Sequence, residues 1–121
     1  VQFMLPVKIF ILNNEYMGMV RQWQQLLHGG RYSHSYSESL PDFVKLAEAY
    51  GATGIRAKTP GELDGKIQQM IDTKGPVIFD CLVDKMENCY PMIPSGAPHN
   101  EMILSDGADE PAVSAEGKML V

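Results

Sequence analysis

The sequence predicts an α/β fold, a three-layer α/β/α sandwich around a parallel sheet. Three short β-branched and aromatic runs, at residues 7–12, 53–57 and 76–83, each have strand length. Segments with apolar residues at helical spacing separate them. The first run is apolar on both faces, as buried parallel strands are, and the strand–helix alternation implies parallel pairing through crossover connections.

Each element has its own signal. Pro6 stands at the edge of the first run and Asn13-Asn14 ends it. Residues 17–27 then place Met19, Val20, Trp23, Leu26 and Leu27 on one helical stripe, which the spacing reads as core, and Gly29-Gly30 stops the helix. Residues 31–39 are rich in Ser, Tyr and His without a period and read as an exposed loop. Ser39, three residues before Asp42, is the expected start of the second helix, with Phe43, Leu46, Ala47 and Tyr50 on its buried face and Gly51 after it. The second strand is residues 53–57. Thr59-Pro60-Gly61-Glu62 combines a hydroxyl cap, a first-turn proline and an acidic third position. Leu63, Ile67, Met70 and Ile71 give that third helix its buried stripe, ending near Lys74-Gly75 before the third strand. Asp80 inside this strand has no explanation in the sequence. After Asp84 no period persists, so residues 1–83 read as an α/β part and 84–121 as an irregular tail.

At 121 residues, 45% apolar and 21% charged, the chain has one domain's worth of ordinary globular sequence. No apolar run approaches the roughly 18 residues of a membrane span. The net charge of -5 comes from the last third, where residues 84–121 carry seven acidic side chains against Lys85 and Lys118. No basic face is present for nucleic acid or an anionic membrane. Cys81 and Cys89 fit no zinc spacing and read as reduced thiols of a cytosol-like compartment. Val1 and the residues after it resemble neither a start nor a leader, so the chain reads as a piece of something longer.

In open parallel sheets ligands bind beyond the carboxyl ends of the strands. There the chain places Asn13-Asn14-Glu15-Tyr16-Met17-Gly18-Met19. Adjacent asparagines tolerate unusual backbone angles and offer neutral amide oxygens to a hard cation. The helix starting near Gly18 presents N–H donors suited to phosphate. The residues alone also allow a simple polar turn and helix cap.

The stretch from Leu5 to Gln24, with Asn13-Asn14 and then Gly18-Met19-Val20-Arg21-Gln22-Trp23, resembles the second half of the thiamine diphosphate motif. Together with Tyr90-Pro91-Met92-Ile93-Pro94-Ser95-Gly96-Ala97 it resembles acetohydroxyacid (acetolactate) synthase catalytic subunits over essentially the whole chain. The resemblance implies that Asn14 binds magnesium through its side-chain oxygen and Tyr16 through its carbonyl. Glu15, Gly18 and Met19 would lie against thiamine diphosphate. Met19, Val20, Trp23 and Ser95 would line a substrate channel, where Trp23 favours 2-ketobutyrate and Trp23 and Ser95 match herbicide-contacting positions. Residues 1–83 would be part of the cofactor domain, and residues 90–101 would fold over the active-site entrance.

The implied reaction condenses pyruvate with pyruvate or 2-ketobutyrate, releasing CO2, in branched-chain amino-acid synthesis. The implied assembly is a homodimer or tetramer with a small regulatory subunit and FAD, in the bacterial cytoplasm or an organelle. The family's first magnesium ligand and its activating glutamate are not among these residues. No catalytic residue is therefore assigned here, and the chain alone is expected to lack synthase activity. Two readings compete: another thiamine enzyme of the pyruvate oxidase or glyoxylate carboligase type, and a non-catalytic α/β binding module. His28, His34 and His99 have no partners at metal or triad spacing and receive no role.

Overall fold

A computed structural model describes residues 2–105; of the acidic tail expected at 84–121, residues 106–121 lie outside them. The elements follow in the order β1 (Lys8–Asn13), α1 (Gly18–Leu26), α2 (Phe43–Ala49), β2 (Thr53–Ala57), α3 (Pro60–Asp72) and β3 (Val77–Leu82). They fall into two compact units. Among the described residues, one joins 2–14 to 39–85 and the other joins 15–38 to 86–105.

In the first unit the three strands form one parallel sheet in the order β1-β3-β2. β3 is central, which explains why its Val77, Phe79 and Cys81 are buried. Together with Ile55 and Ala57 they make the core, and Leu63, Ile67 and Met70 of α3 pack on it. Phe10 stacks on Phe79 at 4.6 Å between ring centroids, extending that face to β1.

The opposite face carries α2. Gly54 points there, and a Cβ on it would lie 2.7 Å from both the Cα and the carbonyl oxygen of Val44. Glycine is therefore what lets α2 pack so closely on β2. With α2 and α3 on opposite faces, this unit has the three layers that the sequence predicts.

The caps differ from expectation. Asp42, not Ser39, caps α2, accepting from the N–H groups of Val44 at 3.1 Å and Lys45 at 3.4 Å. A cap at Ser39 would need Leu40 helical, and Leu40 precedes Pro41, which disfavours the helical region for it. Thr59 stands at the N-cap of α3, yet its hydroxyl makes no cap bond. Glu62 takes over the anchoring, accepting from the Lys58 N–H at 3.1 Å and from Lys66 Nζ at 3.0 Å. Leu46, Tyr50 and Ile71 are exposed rather than buried, at 37%, 56% and 59%, and of the stripe expected on α2 only Ala47 is fully buried.

The second unit is built on α1. Gln22 is buried and brackets Cys89, accepting from its N–H at 2.7 Å and donating to its carbonyl at 2.9 Å. Leu26, Leu27 and Met92 form a small core, and Met92 pairs with Ile103 in an antiparallel bridge. The expected core stripe of α1 is thus only half right. Leu26 and Leu27 are buried, whereas Met19, Val20 and Trp23 are exposed at 55%, 41% and 43%. The face covered by residues 86–92 is instead the polar one, because that segment supplies the backbone and amide partners that Arg21 and Gln22 need. Cys81 and Cys89 are both free thiols.

Candidate functional site

The candidate residues begin where β1 ends. Asn13, its last residue, donates from Nδ2 to Asp80 Oδ1 at 2.9 Å. Asp80 is 1% exposed and also accepts from Arg56 Nε at 2.7 Å. Arg56 reaches on to Asp42 Oδ1 at 2.9 Å, so an acid–base–acid chain links the start of α2 to the end of β1. The Asp80 bond, with charge attraction from Asp80 and Asp42 added, raises the Arg56 pKa further and outweighs the opposing effect of burial. At Asp42 burial pushes the carboxyl upward. The Lys45 and Val44 N–H bonds and the Arg56 guanidinium outweigh it and hold Asp42 below the usual carboxylate range. Asn14, half-buried, is the last residue of this unit.

The second unit opens with the turn into α1. Its unusual backbone angle falls on Glu15, at φ 60°, rather than on an asparagine. Such a conformation costs a non-glycine residue on the order of 1 kcal/mol and needs support from its surroundings. The support comes from the loop that the sequence reads as merely exposed. The Glu15 carbonyl accepts from the Ser37 N–H at 2.8 Å, the Met17 N–H donates to the Ser35 carbonyl at 2.8 Å, and Tyr36 Oη donates to Glu15 Oε2 at 3.2 Å. These bonds pair Tyr16 with Tyr36 in an antiparallel bridge. Alternation within such a pair turns the Tyr16 carbonyl to the side away from Tyr36.

Arg21, only 2% exposed, lies 5.4 Å from the Tyr16 ring and 5.7 Å from the Tyr32 ring. Its guanidinium also donates to the Met86 carbonyl and Asn88 Oδ1, both at 3.3 Å. A buried cation is thus compensated by aromatic faces and neutral acceptors. α1 then starts with Met17 at the N-cap, no side-chain cap bond and no acidic residue in the first turn. No carboxylate of the helix's own first turn competes with an anion there.

Along the exposed side of α1 runs a cavity of about 660 Å³ lined by Met19, Val20, Trp23, Gln24, His28 and Arg31. Its wall is apolar at Met19, Val20 and Trp23 and polar at the far end. Gln24 Nε2 donates to the Ser33 carbonyl at 2.8 Å, and its Oε1 is buried without a hydrogen-bond partner. Such a cavity suits a small molecule with an apolar body and an acidic group. His28 and Arg31, given no role from sequence, belong to this lining. Gln24 and His28 are four residues apart, as Met19 and Trp23 are, and that helical spacing was the available signal. Ser95 sits in a separate exposed turn, where the Ala97 N–H bonds the Pro94 carbonyl at 3.0 Å and Gly96 takes φ 80°. It is not among the residues lining the cavity.

The family model for the thiamine pyrophosphate enzyme C-terminal TPP binding domain matches residues 1–81. The chain belongs to this family. Among curated relatives, this TPP-binding domain is 50% identical over 103 residues to the acetolactate synthase large subunit of Cyanidium caldarium, covering 84% of this chain and 18% of the relative. It is 49% identical over 110 residues to the Haemophilus influenzae large subunit, with 90% and 19% covered. The mitochondrial acetolactate synthase catalytic subunit of Saccharomyces cerevisiae is 49% identical over 106 residues, with 88% and 15% covered. The chain thus spans less than a fifth of the length of these relatives.

Among solved structures, the Rhodococcus jostii thiamine diphosphate-dependent 4-hydroxybenzoylformate decarboxylase matches with a TM-score of 0.63 and 28% identity. That match covers 72% of this chain and 16% of the decarboxylase. No helix of the described residues is long and apolar enough to cross a membrane. The TPP-binding domain offers fitting chemistry in each unit taken by itself: a neutral asparagine amide at the end of the sheet, and an uncapped helix start beside an outward-turned carbonyl. No three His, Cys, Asp or Glu side chains converge among the described residues; amide and carbonyl oxygens are hard donors of the kind Mg2+ takes.

Proposed function

We propose that this chain is the C-terminal part of the cofactor domain of an acetolactate synthase catalytic subunit. It would act within a longer protein that condenses pyruvate with pyruvate or 2-ketobutyrate and releases CO2. One observation carries the reading. The identity of about half to acetolactate synthase large subunits extends past the residues matched by the family model, into the segment after β3.

In this reading Asn14 Oδ1 and the Tyr16 carbonyl hold magnesium. The first-turn N–H groups of α1 hold the diphosphate, and Glu15, Gly18 and Met19 lie along the cofactor. Thiamine diphosphate, when bound, supplies the electron sink that lets one 2-ketoacid lose CO2 and add to a second. The chain's own contribution is placement. The Ser35–Ser37 bridge fixes the Glu15 turn, so the cofactor meets a preformed surface. Trp23, with Met19 and Val20, walls the channel through which the second ketoacid arrives, and Arg31 offers its carboxylate a cation. Ser95 would come from the tail, with residues 90–101 over the entrance. The subunit would bind FAD outside this chain, work as a homodimer or tetramer with a small regulatory subunit, and reside in the bacterial cytoplasm or an organelle.

The test uses the complete protein with thiamine diphosphate, Mg2+ and FAD. Formation of acetolactate from pyruvate, and of acetohydroxybutyrate when 2-ketobutyrate is added, is the expected result. A second reading, a decarboxylase that does not join two ketoacids, is favoured by the likeness to the Rhodococcus enzyme. Release of aldehyde without acetolactate would select it, and no ketoacid turnover at all would leave only a binding module.

A further inference from the structure

We propose that Asp80 is a positioning residue for the magnesium site, holding Asn13 so that Asn14 is the asparagine presented to the metal. The inference rests on the reading of Asn14 as a magnesium ligand.

Two adjacent asparagines at the end of a strand are interchangeable in chemistry but not in place. Side chains alternate across a strand, and a slip of one residue would exchange them. Something must therefore pin one of the pair. Asp80 is 1% exposed, in the central strand, in register with Ile11 on one side and Arg56 on the other. A carboxylate there loses its water, which is costly unless its oxygens are hydrogen-bonded. Each oxygen has a partner: Oδ1 accepts from Asn13 Nδ2 at 2.9 Å and Oδ2 from Arg56 Nε at 2.7 Å.

The sheet does not need this side chain for its pairing. β1 and β3 are already joined along six register positions from Lys8–Val77 to Asn13–Leu82. What Asp80 adds is specific to the last residue of β1. It commits the Asn13 amide and fixes its orientation, directly before Asn14. Arg56, itself held by Asp42 at 2.9 Å, satisfies only the other oxygen, Oδ2, and does not touch Asn13. The arrangement is that of an outer partner orienting a ligand turn, whose loss typically weakens metal binding by about 10- to 100-fold.

The test is equilibrium dialysis of thiamine diphosphate with the complete protein at increasing Mg2+, comparing wild type with Asp80→Ala, Asn13→Ala, Asp80→Asn and Arg56→Ala. Asp80→Ala and Asn13→Ala are expected to raise the Mg2+ requirement by about 10- to 100-fold. Asp80→Asn keeps its one oxygen for Arg56 Nε and offers an NH2 to the Asn13 Oδ1 of a flipped amide, so Asn13 stays bonded and most of the affinity should return. Arg56→Ala removes the other arm, and is expected to lower thermal stability while leaving the Mg2+ requirement nearly unchanged. If Asp80→Ala does not fold, Asn13→Ala and Asp80→Asn carry the comparison. A wild-type Mg2+ requirement in Asn13→Ala, or equal loss in Arg56→Ala and Asp80→Ala, would overturn the proposal. No Mg2+-dependent cofactor binding in the wild type would instead overturn the functional reading beneath it.

Discussion

Replacing Gly54 by alanine tests the close packing of α2 on β2. Alanine in a strand would ordinarily stabilise by about 0.5–1 kcal/mol, because glycine has more freedom to lose on folding. Here the new Cβ would meet the Val44 Cα and carbonyl oxygen at 2.7 Å and its Cγ1 at 2.8 Å. Ordinary carbon contacts lie near 3.5–4.0 Å, so α2 would have to retreat by roughly 1 Å. Two of the three obstructing atoms are backbone, so no rotamer change relieves them. Overpacking of this kind costs about 1–3 kcal/mol, and a net loss of about 2 kcal/mol is expected.

The retreat would also stretch the 2.9 Å contact between Asp42 and Arg56. Hydrogen exchange followed by mass spectrometry on the complete protein reads this locally, where a global unfolding curve of a multi-domain protein would not. Amides of residues 43–57 should exchange roughly 30-fold faster, since each 1.4 kcal/mol is a factor of ten. Val44→Ala added to Gly54→Ala should recover little, because it removes only the Cγ1 clash. Gly65→Ala in α3 is the control: nothing lies within 4 Å of its Cβ, and exchange should slow by about two- to fivefold. Unchanged or slower exchange in Gly54→Ala, or full rescue by Val44→Ala, would refute the reasoning.

Other outcomes follow from charge and from the cavity. Asp42 and Glu62 are both held below the usual carboxylate range, Glu62 by the Lys58 N–H and then by Lys66. A carboxylate depressed in the folded state stabilises it above the unfolded pKa, near 4, and that support fades as pH falls through the folded value. Amides at the starts of α2 and α3 should therefore lose protection below about pH 4, after correction for intrinsic rates. Asp42→Asn, which caps equally well without charge, should flatten the dependence at α2 and leave α3 as it was. Trp23→Leu enlarges a cavity that Trp23 walls, and should lower the preference for 2-ketobutyrate over pyruvate by about tenfold or more, measured as a ratio of products in competition. An unchanged ratio would remove Trp23 from the channel.

The strands at 7–12 and 76–83 were legible as nearly continuous apolar runs, but only β3, which is central, is largely buried. β1, which the sequence reads as a buried strand, is an edge strand with Ile9, Phe10 and Leu12 exposed at 48%, 40% and 68%. Pattern alone could not show which side of α1 would be buried. Its period marks a helix, but Arg21 and Gln22 turn inward because carbonyl and amide partners arrive from residues 86–89, more than 60 positions away. Asp80 was opaque for the same reason, its partners being 67 and 24 residues distant. The α2 cap is legible in Pro41 after Leu40, which argues against a start at Ser39. The Asn13-Asn14 turn stood out because strand, amide pair and helix start follow one another directly. Its support by Ser35 and Ser37 did not, because that loop has no period and speaks only through backbone bonds.

The most direct test of the central claim is the Mg2+ dependence of thiamine diphosphate binding by the complete protein carrying Asn14→Ala, with folding verified by circular dichroism. The account predicts a folded protein that no longer binds the cofactor at Mg2+ concentrations sufficient for the wild type. Undiminished binding by the variant would contradict it.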